Sequence, residues 1–546
     1  GRVVVCGEHL CFEDGTRARF WGVNIVPAWF LLPEEKLQIT ASHIAKLGFN
    51  AVRLWLPPNW ESEANKIDYF VYQLAQRGIY VLWRLNTTLI LNNSVLSRYG
   101  YGTSYDYPRD FYSILPIFDR SLAHWYMHTV ESFLRRQNPF SGFSYANDPG
   151  IIALELNNEA SLQNANIRGF LVEILCRISK SSDNKGCTNS NLYMEAPSSF
   201  QTSSPKIQRF PSNTLNQWRR TLEHEFYAQF RHLIRNTGYK GPILATQSYF
   251  NEDSLLYSDV SDLLDFHFYW GPYIVHRTKD LRPMWVNLEH VKQIANAVRV
   301  RGKPLMLSEF AHGLLGTYNV EGPLAAAVLG RDLDLSGIFL YSYGDGSVVN
   351  DLLKDKSPFI LRHHYSIVNN PAIVTVLPLA ANVFLRSNSV SSAFNILLED
   401  KPLTLIHASF EVKASFPLHT PSRKRFGISG IIPVSQTSPT ALEKGYLLIA
   451  TGETYIDNPN SNQYIPFLPL RYNATPPAGK PMIPLPYNME LSNRACQITT
   501  VLSLSPRGEV NAVVGQVPPY SNITWTPVSP WHLILISPHG GERCDR

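Results

Sequence analysis

The chain has 546 residues, of which 44% are hydrophobic, 12% aromatic and only 17% charged, with a net charge of +5. That composition excludes a disordered or fibrous protein. The longest basic run, Arg423-Lys424-Arg425, is too short for a nucleic-acid footprint, and the absence of 18 consecutive apolar residues leaves no membrane span expected.

In chain order, GRVVVCGEHLCFEDG reads as an N-terminal β-hairpin on a mature or trimmed N-terminus. Eight apolar runs follow, at 20–25, 50–56, 79–86, 151–159, 242–249, 263–270, 304–310 and 337–344. Each is nearly continuous in apolar character and rich in β-branched or aromatic residues, as a parallel strand buried on both faces should be. Amphipathic segments at 35–47, 64–77, 118–136, 215–236, 287–301 and 321–333 predict helices between them. Gly48, Gly78 and Gly302 stand where left-handed helix stops belong. Eight strand–helix units over about 350 residues predict a closed (β/α)8 TIM barrel, with a doubly wound open sheet as its rival. Insertions at 87–117 and 160–214 follow the third and fourth strands, on the face where loops shape a substrate cleft.

After residue 372 the pattern changes to short alternating strands such as 403–412, 445–454, 497–505 and 531–538, punctuated by Pro and Ser. The expectation is an α/β catalytic barrel over 1–372 and an all-β sandwich domain over 373–546. The second domain reads either as a packing partner of the barrel or as a carbohydrate-binding module. Six cysteines, with no CxxC, allow sequence-local disulfides 6–11, 176–187 and 496–544, or free thiols. N-x-[ST] sites stand at Asn86, Asn92, Asn473 and Asn522. Low charge and paired cysteines point to a secreted, extracellular protein.

The chemistry-bearing signal is a pair of glutamates at strand ends, Glu159 after IIALELNN and Glu309 in PLMLSEF. In a barrel these fourth and seventh strands face each other across one mouth. Two opposed carboxyl groups suit retaining glycoside hydrolysis, one as nucleophile and one as an acid kept protonated by burial and like charge. For one glutamate alone, a strand-end salt bridge is the simpler reading.

FEDGTRARFWGVNI, LGFNAVRLWL, NPFSGFSYANDPGIIALELNNEASL, DFHFYW, GKPLMLSEFAHG and EGPLAAAVLGRDLDLSGIFLYSY, in that order, carry a resemblance over residues ~12–390. The chain resembles the clan of (β/α)8 retaining glycoside hydrolases, most nearly glycoside hydrolase family 5 and its cellulase-like relatives. The resemblance implies Glu159 as acid/base and Glu309 as nucleophile. It implies Asn158 as a hydrogen-bond partner of the sugar 2-OH and Arg53 as the cation that holds Glu309 ionised. His267 would orient the site and Tyr269 would donate to the nucleophile. Two positions depart from the family: Asn86 stands where a His is usual after strand three, and Tyr341, with Tyr343 close by, where a Trp ends strand eight. Both departures bear on sugar preference.

Trp29, Trp60, Trp270, Trp21, Trp55 and Tyr101 are candidate sugar platforms, since an aromatic ring covers the apolar face of a pyranose. Core packing is the competing use, above all for Trp21 and Trp55. Glu155 reads as a barrel-interior partner for Arg53 or His267. HExxH, GxSxG and GxxxxGK[ST] are absent, and no metal or cofactor is implied. The resulting expectation is an endo-acting hydrolase of β-1,4-glucan, with β-mannan or an exo-acting β-mannosidase or β-galactosidase activity as alternatives. A non-catalytic carbohydrate-binding protein is the reading of another class. The oligomeric state is left open.

Overall fold

The computed structural model describes residues 1–85, 93–98, 109–162, 212–247, 258–270, 284–312, 319–354 and 366–386. In the C-terminal region it describes 394–397, 403–407, 410–415, 427–434, 444–452, 455–457, 464–466, 481–482, 488–494, 498–504, 510–527 and 531–536. Most of both insertions, and the cysteines at 176, 187, 496 and 544, lie outside these residues.

Strands β1 (Val3–Cys6), β2 (His9–Phe12) and β3 (Arg17–Ala18) form an antiparallel sheet, and a Cys6–Cys11 disulfide ties its first turn. The expected hairpin and the first expected disulfide are thus present. The barrel strands are β4 (Phe20–Ile25), β5 (Ala51–Trp55), β6 (Tyr80–Arg84), β7 (Ile151–Glu155), β8 (Ile243–Leu244), β9 (Leu264–Trp270), β10 (Leu305–His312) and β11 (Gly337–Leu340). Their order in the sheet is β8-β7-β6-β5-β4-β11-β10-β9. Every neighbour is the next strand in the chain, except that the first pairs with the eighth, Phe20–Val23 lying parallel to Gly337–Leu340. A doubly wound sheet reverses direction at a switch point and never makes that pair. The fold is therefore a (β/α)8 barrel. Gly22 permits the closing ladder, because a Cβ there would meet the Phe339 ring at 2.3 Å.

Helices fall where the periodicity placed them, among them Glu34–Lys46, Trp60–Ala75, Arg120–Arg135, Ser212–Asn236, Leu288–Ala297 and Gly322–Asp332. The stops at Gly48, Gly78 and Gly302 all have positive φ. The fifth strand is shorter than expected. Side chains replace its ladder: Ile243 N donates to Asp262 Oδ2 and Ala245 N to Ser261 Oγ.

Internal contacts divide the chain into two units, Gly1–Arg19 with Val52–His267 and Gln293–Ser308, and Phe20–Ala51 with Phe268–Lys292 and Glu309–Arg546. Three of the divisions fall inside barrel strands, β5, β9 and β10. In the first unit, β7 runs parallel between β6 and β8, and Tyr126 Oη shares its one hydrogen between the carbonyls of Leu85 and Leu156 just beyond β6 and β7. In the second unit, the helix Pro371–Leu385 packs on β4, with Phe384 against Trp21 and Ala381 under Gly48. That helix starts at the expected domain boundary, so the barrel's last helix runs to residue 385.

Beyond it, the second unit carries a six-stranded sheet, with β12 (Phe410–Ser415), β13 (Asn488–Asn493) and two partners forming a four-stranded one. Val412, Ala414, Met489 and Leu491 from the smaller sheet meet Val501, Val517, Ile534 and Ile536 from the larger. Two antiparallel sheets sharing one apolar core make the expected β-sandwich.

Candidate active site

β7 ends at Glu155, four residues before the expected strand end. Backbone pairing persists a little further, Leu156 N donating to Leu244 O and Asn157 N to Ala245 O. The chain then turns, because Asn157 bonds forward and sideways: its Oδ1 accepts from Asn158 N at 3.0 Å and its Nδ2 donates to Ser113 O at 2.8 Å. Tyr227 Oη donates to Ala160 O, and Glu223 accepts from Leu162 N, fixing the far side of the turn. Glu159 sits between these clamps at φ +50. A left-handed non-glycine residue costs about 1–2 kcal/mol, and such residues cluster at functional sites.

The turn presents Glu159 to β9. Its Oε1 lies 2.7 Å from His267 Nδ1, and its side chain is 31% exposed while that of His267 is fully buried. Beneath this pair, buried Arg53 on β5 makes a bidentate ion pair with buried Glu155, Nε to Oε2 and a terminal nitrogen to Oε1, both at 2.7 Å. Glu155 is thus the barrel-interior partner of Arg53. Arg53 also donates to Asn158 Oδ1 at 2.6 Å, and Gln247 Nε2 donates to the same oxygen at 2.8 Å. Two donors on Oδ1 fix the amide's orientation and turn the Asn158 Nδ2 hydrogens away, available for a hydroxyl acceptor.

In the second unit, Glu309 on β10 is 5% exposed and accepts a short hydrogen bond from Tyr269 Oη. Tyr341, half-buried after β11, sets its ring edge-on to Tyr269 at 6.1 Å, and the peptide that follows it is cis. Trp270 is half-buried beside Phe268. These two rings keep exposed surface.

Three other expected platforms do not. Trp29 is 1% exposed, donates Nε1–H to Gly344 O and packs on Tyr343 at 5.0 Å. Tyr343 is itself buried, its hydroxyl 2.7 Å from His43 Nδ1, and burial pushes His43 down to about 4. Trp60 is buried edge-on to Phe133. The physical reason is common to all three: the helix or loop after a barrel strand must bury its own apolar face, and these rings serve that face. Trp21 and Trp55 are buried too. Asn86 and Tyr101 lie outside the described residues.

Three residues escaped the sequence reading. Asp265, two positions before His267, shares its face of β9. Its Oδ1 accepts from Ser308 N at 2.8 Å and its Oδ2 makes a short hydrogen bond with Ser308 Oγ, which also lies 3.0 Å from His267 Nε2. Gln247 Nε2 lies 2.7 Å from that same ring nitrogen. The alternation Asp265, His267, Tyr269 within an apolar strand was the available signal; Ser308 and Gln247 gave none.

In the first unit His267 holds Glu159, and in the second Tyr269 holds Glu309, so each carboxyl has a proton-handling partner. Carboxyl groups held by a histidine and by a tyrosine can donate a proton and attack an electrophilic carbon.

No family model and no curated protein matches the chain. Among solved structures, it is similar to the endo-1,4-β-mannanase from Rhizomucor miehei, at 16% identity over 63% of this chain and 90% of that one, with a TM-score of 0.43. It is similar to the glycoside hydrolase family 5 mannosidase from Rhizomucor miehei, at 13% identity over 70% and 98%, with a TM-score of 0.47. It is also similar to a glycoside hydrolase family 5 protein from Bacteroides vulgatus, at 10% identity over 98% and 93%, with a TM-score of 0.40.

Proposed function

We propose that the protein is a retaining glycoside hydrolase of β-linked hexose chains, with Glu159 as acid/base and Glu309 as nucleophile. One observation carries the reading: Glu159 is held by His267 and Glu309 by Tyr269, and these holders are alternate residues on one face of β9. Glu159 protonates the glycosidic oxygen while Glu309 attacks the anomeric carbon. Glu159 then deprotonates the water that releases the glycosyl-enzyme. Asn158 Nδ2 meets the sugar 2-OH, and Tyr341 and Trp270 supply ring faces. The Cys6–Cys11 bridge supports an extracellular setting for this activity.

β-1,4-Glucan is the first substrate to test and β-1,4-mannan the second. The expected result is reducing-sugar release from one of them, with the product's anomeric configuration retained by NMR and release lost in Glu309→Gln. Equal release by wild type and Glu309→Gln overturns the mechanism. Oligosaccharide binding with no release by wild type identifies a carbohydrate-binding protein instead.

A further inference from the structure

Glu159 needs a defined partner. If His267 Nδ1 carries a proton, it donates to Glu159 Oε1 and leaves the acid's own hydrogen on Oε2, turned toward the glycosidic oxygen. If the proton is on Nε2 alone, Nδ1 presents a lone pair, which repels an ionised Glu159 and draws the hydrogen of a protonated one away from the substrate. What faces Nε2 decides between these tautomers.

Two groups face it. Gln247 Nε2 lies 2.7 Å away, but it has only two hydrogens, and Asn158 Oδ1 at 2.8 Å and Glu155 Oε1 at 3.1 Å both accept from it. Ser308 Oγ, at 3.0 Å, is the other candidate donor. It can donate to Nε2 only if its own hydrogen is not given to Asp265 Oδ2, against which it makes a short contact. A proton on Asp265 resolves this, since Asp265 then donates to Ser308 and Ser308 to His267.

We infer that Asp265, acting through Ser308, is a positioning residue that decides which ring nitrogen of His267 carries the proton, and so whether His267 donates to Glu159. The inference rests on the assignment of Glu159 as acid/base for its catalytic meaning, but the proton order is a property of the resting protein. In the ordered state, hydrogens run Asp265 Oδ2–H to Ser308 Oγ–H to His267 Nε2, and Nδ1–H to Glu159. When Asp265 ionises, Ser308 turns its hydrogen back to the carboxylate, Nε2 loses that donor and the proton on Nδ1 is no longer held in place. One proton leaves to solvent, and no other bond changes.

The surroundings suit this role. Asp265 is 1% exposed, and burial pushes it up to about 7, with Glu155 adding to the rise and His267, Ser308 and Arg53 opposing it. The groups that face it are His267 on its own strand, Ser308 on β10, Arg53 on β5 and Glu155 on β7, the last two already paired with each other. Asparagine at 265 would imitate the protonated acid, keeping an acceptor for Ser308 N and a permanent donor for Ser308 Oγ.

The test uses the full chain labelled with ¹⁵N-histidine, with His267 assigned by difference against His267→Asn. At pH 6, below the Asp265 transition, wild type and Asp265→Asn should show the same balance between Nδ1 and Nε2 protonation, weighted to the Nδ1 tautomer. Raising the pH through about 7 should disorder that tautomer in wild type and leave it intact in Asp265→Asn. Ser308→Ala should lack it at every pH, and Ser308→Thr, which keeps the hydroxyl, should restore it. Identical titrations of wild type and Asp265→Asn overturn the inference, as does an unchanged tautomer in Ser308→Ala. Should Asp265→Asn not fold, the Ser308 pair decides alone. Because no hydrolysis is measured, a failed glycosidase assay and a failed tautomer order are separate results.

Discussion

The barrel interior and the sandwich core bury opposite kinds of side chain. Inside the barrel, Arg53, Glu155, Asp265 and His267 are all 0–1% exposed and joined in one hydrogen-bonded network. The sandwich core is Val412, Ala414, Met489, Leu491, Val501, Val517, Ile534 and Ile536. Aliphatic burial contributes roughly 25 cal/mol per Å² and needs no partner, whereas each buried charge costs several kcal/mol unless its geometry is satisfied. A fold keeps the costlier arrangement where the charges have work to do. The buried charges of the barrel lie where the proposed chemistry sits, and the aliphatic core of the sandwich supplies cohesion.

The sharpest way to break this division is to remove chemistry without touching stability. Glu309→Gln should lower kcat/KM by roughly 10⁴-fold, with the unfolding midpoint near that of wild type. A loss below tenfold on the preferred polysaccharide would take Glu309 out of the nucleophile's role. Next comes the ion pair. Arg53→Met strands Glu155 in the interior and should cost about 3–5 kcal/mol in urea unfolding. Adding Glu155→Met should recover much of that stability while activity stays lost. A single variant that unfolds like wild type would show the pair to be energetically idle.

The sandwich should respond in the reverse sense. Leu491→Ala leaves a cavity between the sheets and should cost about 2–4 kcal/mol, with kcat/KM within a factor of two of wild type. A tenfold drop in activity there would erase the distinction between the regions. The smallest effect is in pH dependence. His532, buried in the sandwich with Nε2 accepting from Trp525 Nε1, is held down at about 4 by burial. Its folded value lies below its unfolded one, so its contribution is complete above pH 6.5 and lost as pH falls through about 4. Asp265 has the opposite sign: its folded value is raised, so its contribution is complete below about pH 4 and lost as pH rises through about 7. Melting curves between pH 4 and 8 should show the His532→Phe variant losing less stability in acid than wild type, and Asp265→Asn losing less toward pH 8.

Much of the barrel was legible because its strands are short, apolar on both faces and separated by helices that stop at glycine. Gly78 and Gly302 mark their turns without tertiary help, since only the backbone at φ above zero is at stake, whereas Gly48 also leaves room for Ala381. The domain boundary was not legible. The helix Pro371–Leu385 contacts β4 through Phe384, and the sandwich strand Trp531–Ile536 through Trp531 Nε1 and Thr375 O. Its apolar composition fits either side, so a truncation near residue 380 would cut the helix both regions use.

By itself the sequence determined the alternation of strand and helix, the change to β structure after the barrel, and the two glutamates worth watching, because these depend on local periodicity and residue type. The tertiary structure alone decided that Trp29, Trp60 and Tyr343 are packed away, that Arg53 spends its guanidinium on Glu155, and that Asp265 and Ser308 stand behind His267. Those outcomes depend on which strands become neighbours and in what register. An aromatic or a serine carries no mark of that choice until the chain has closed around it.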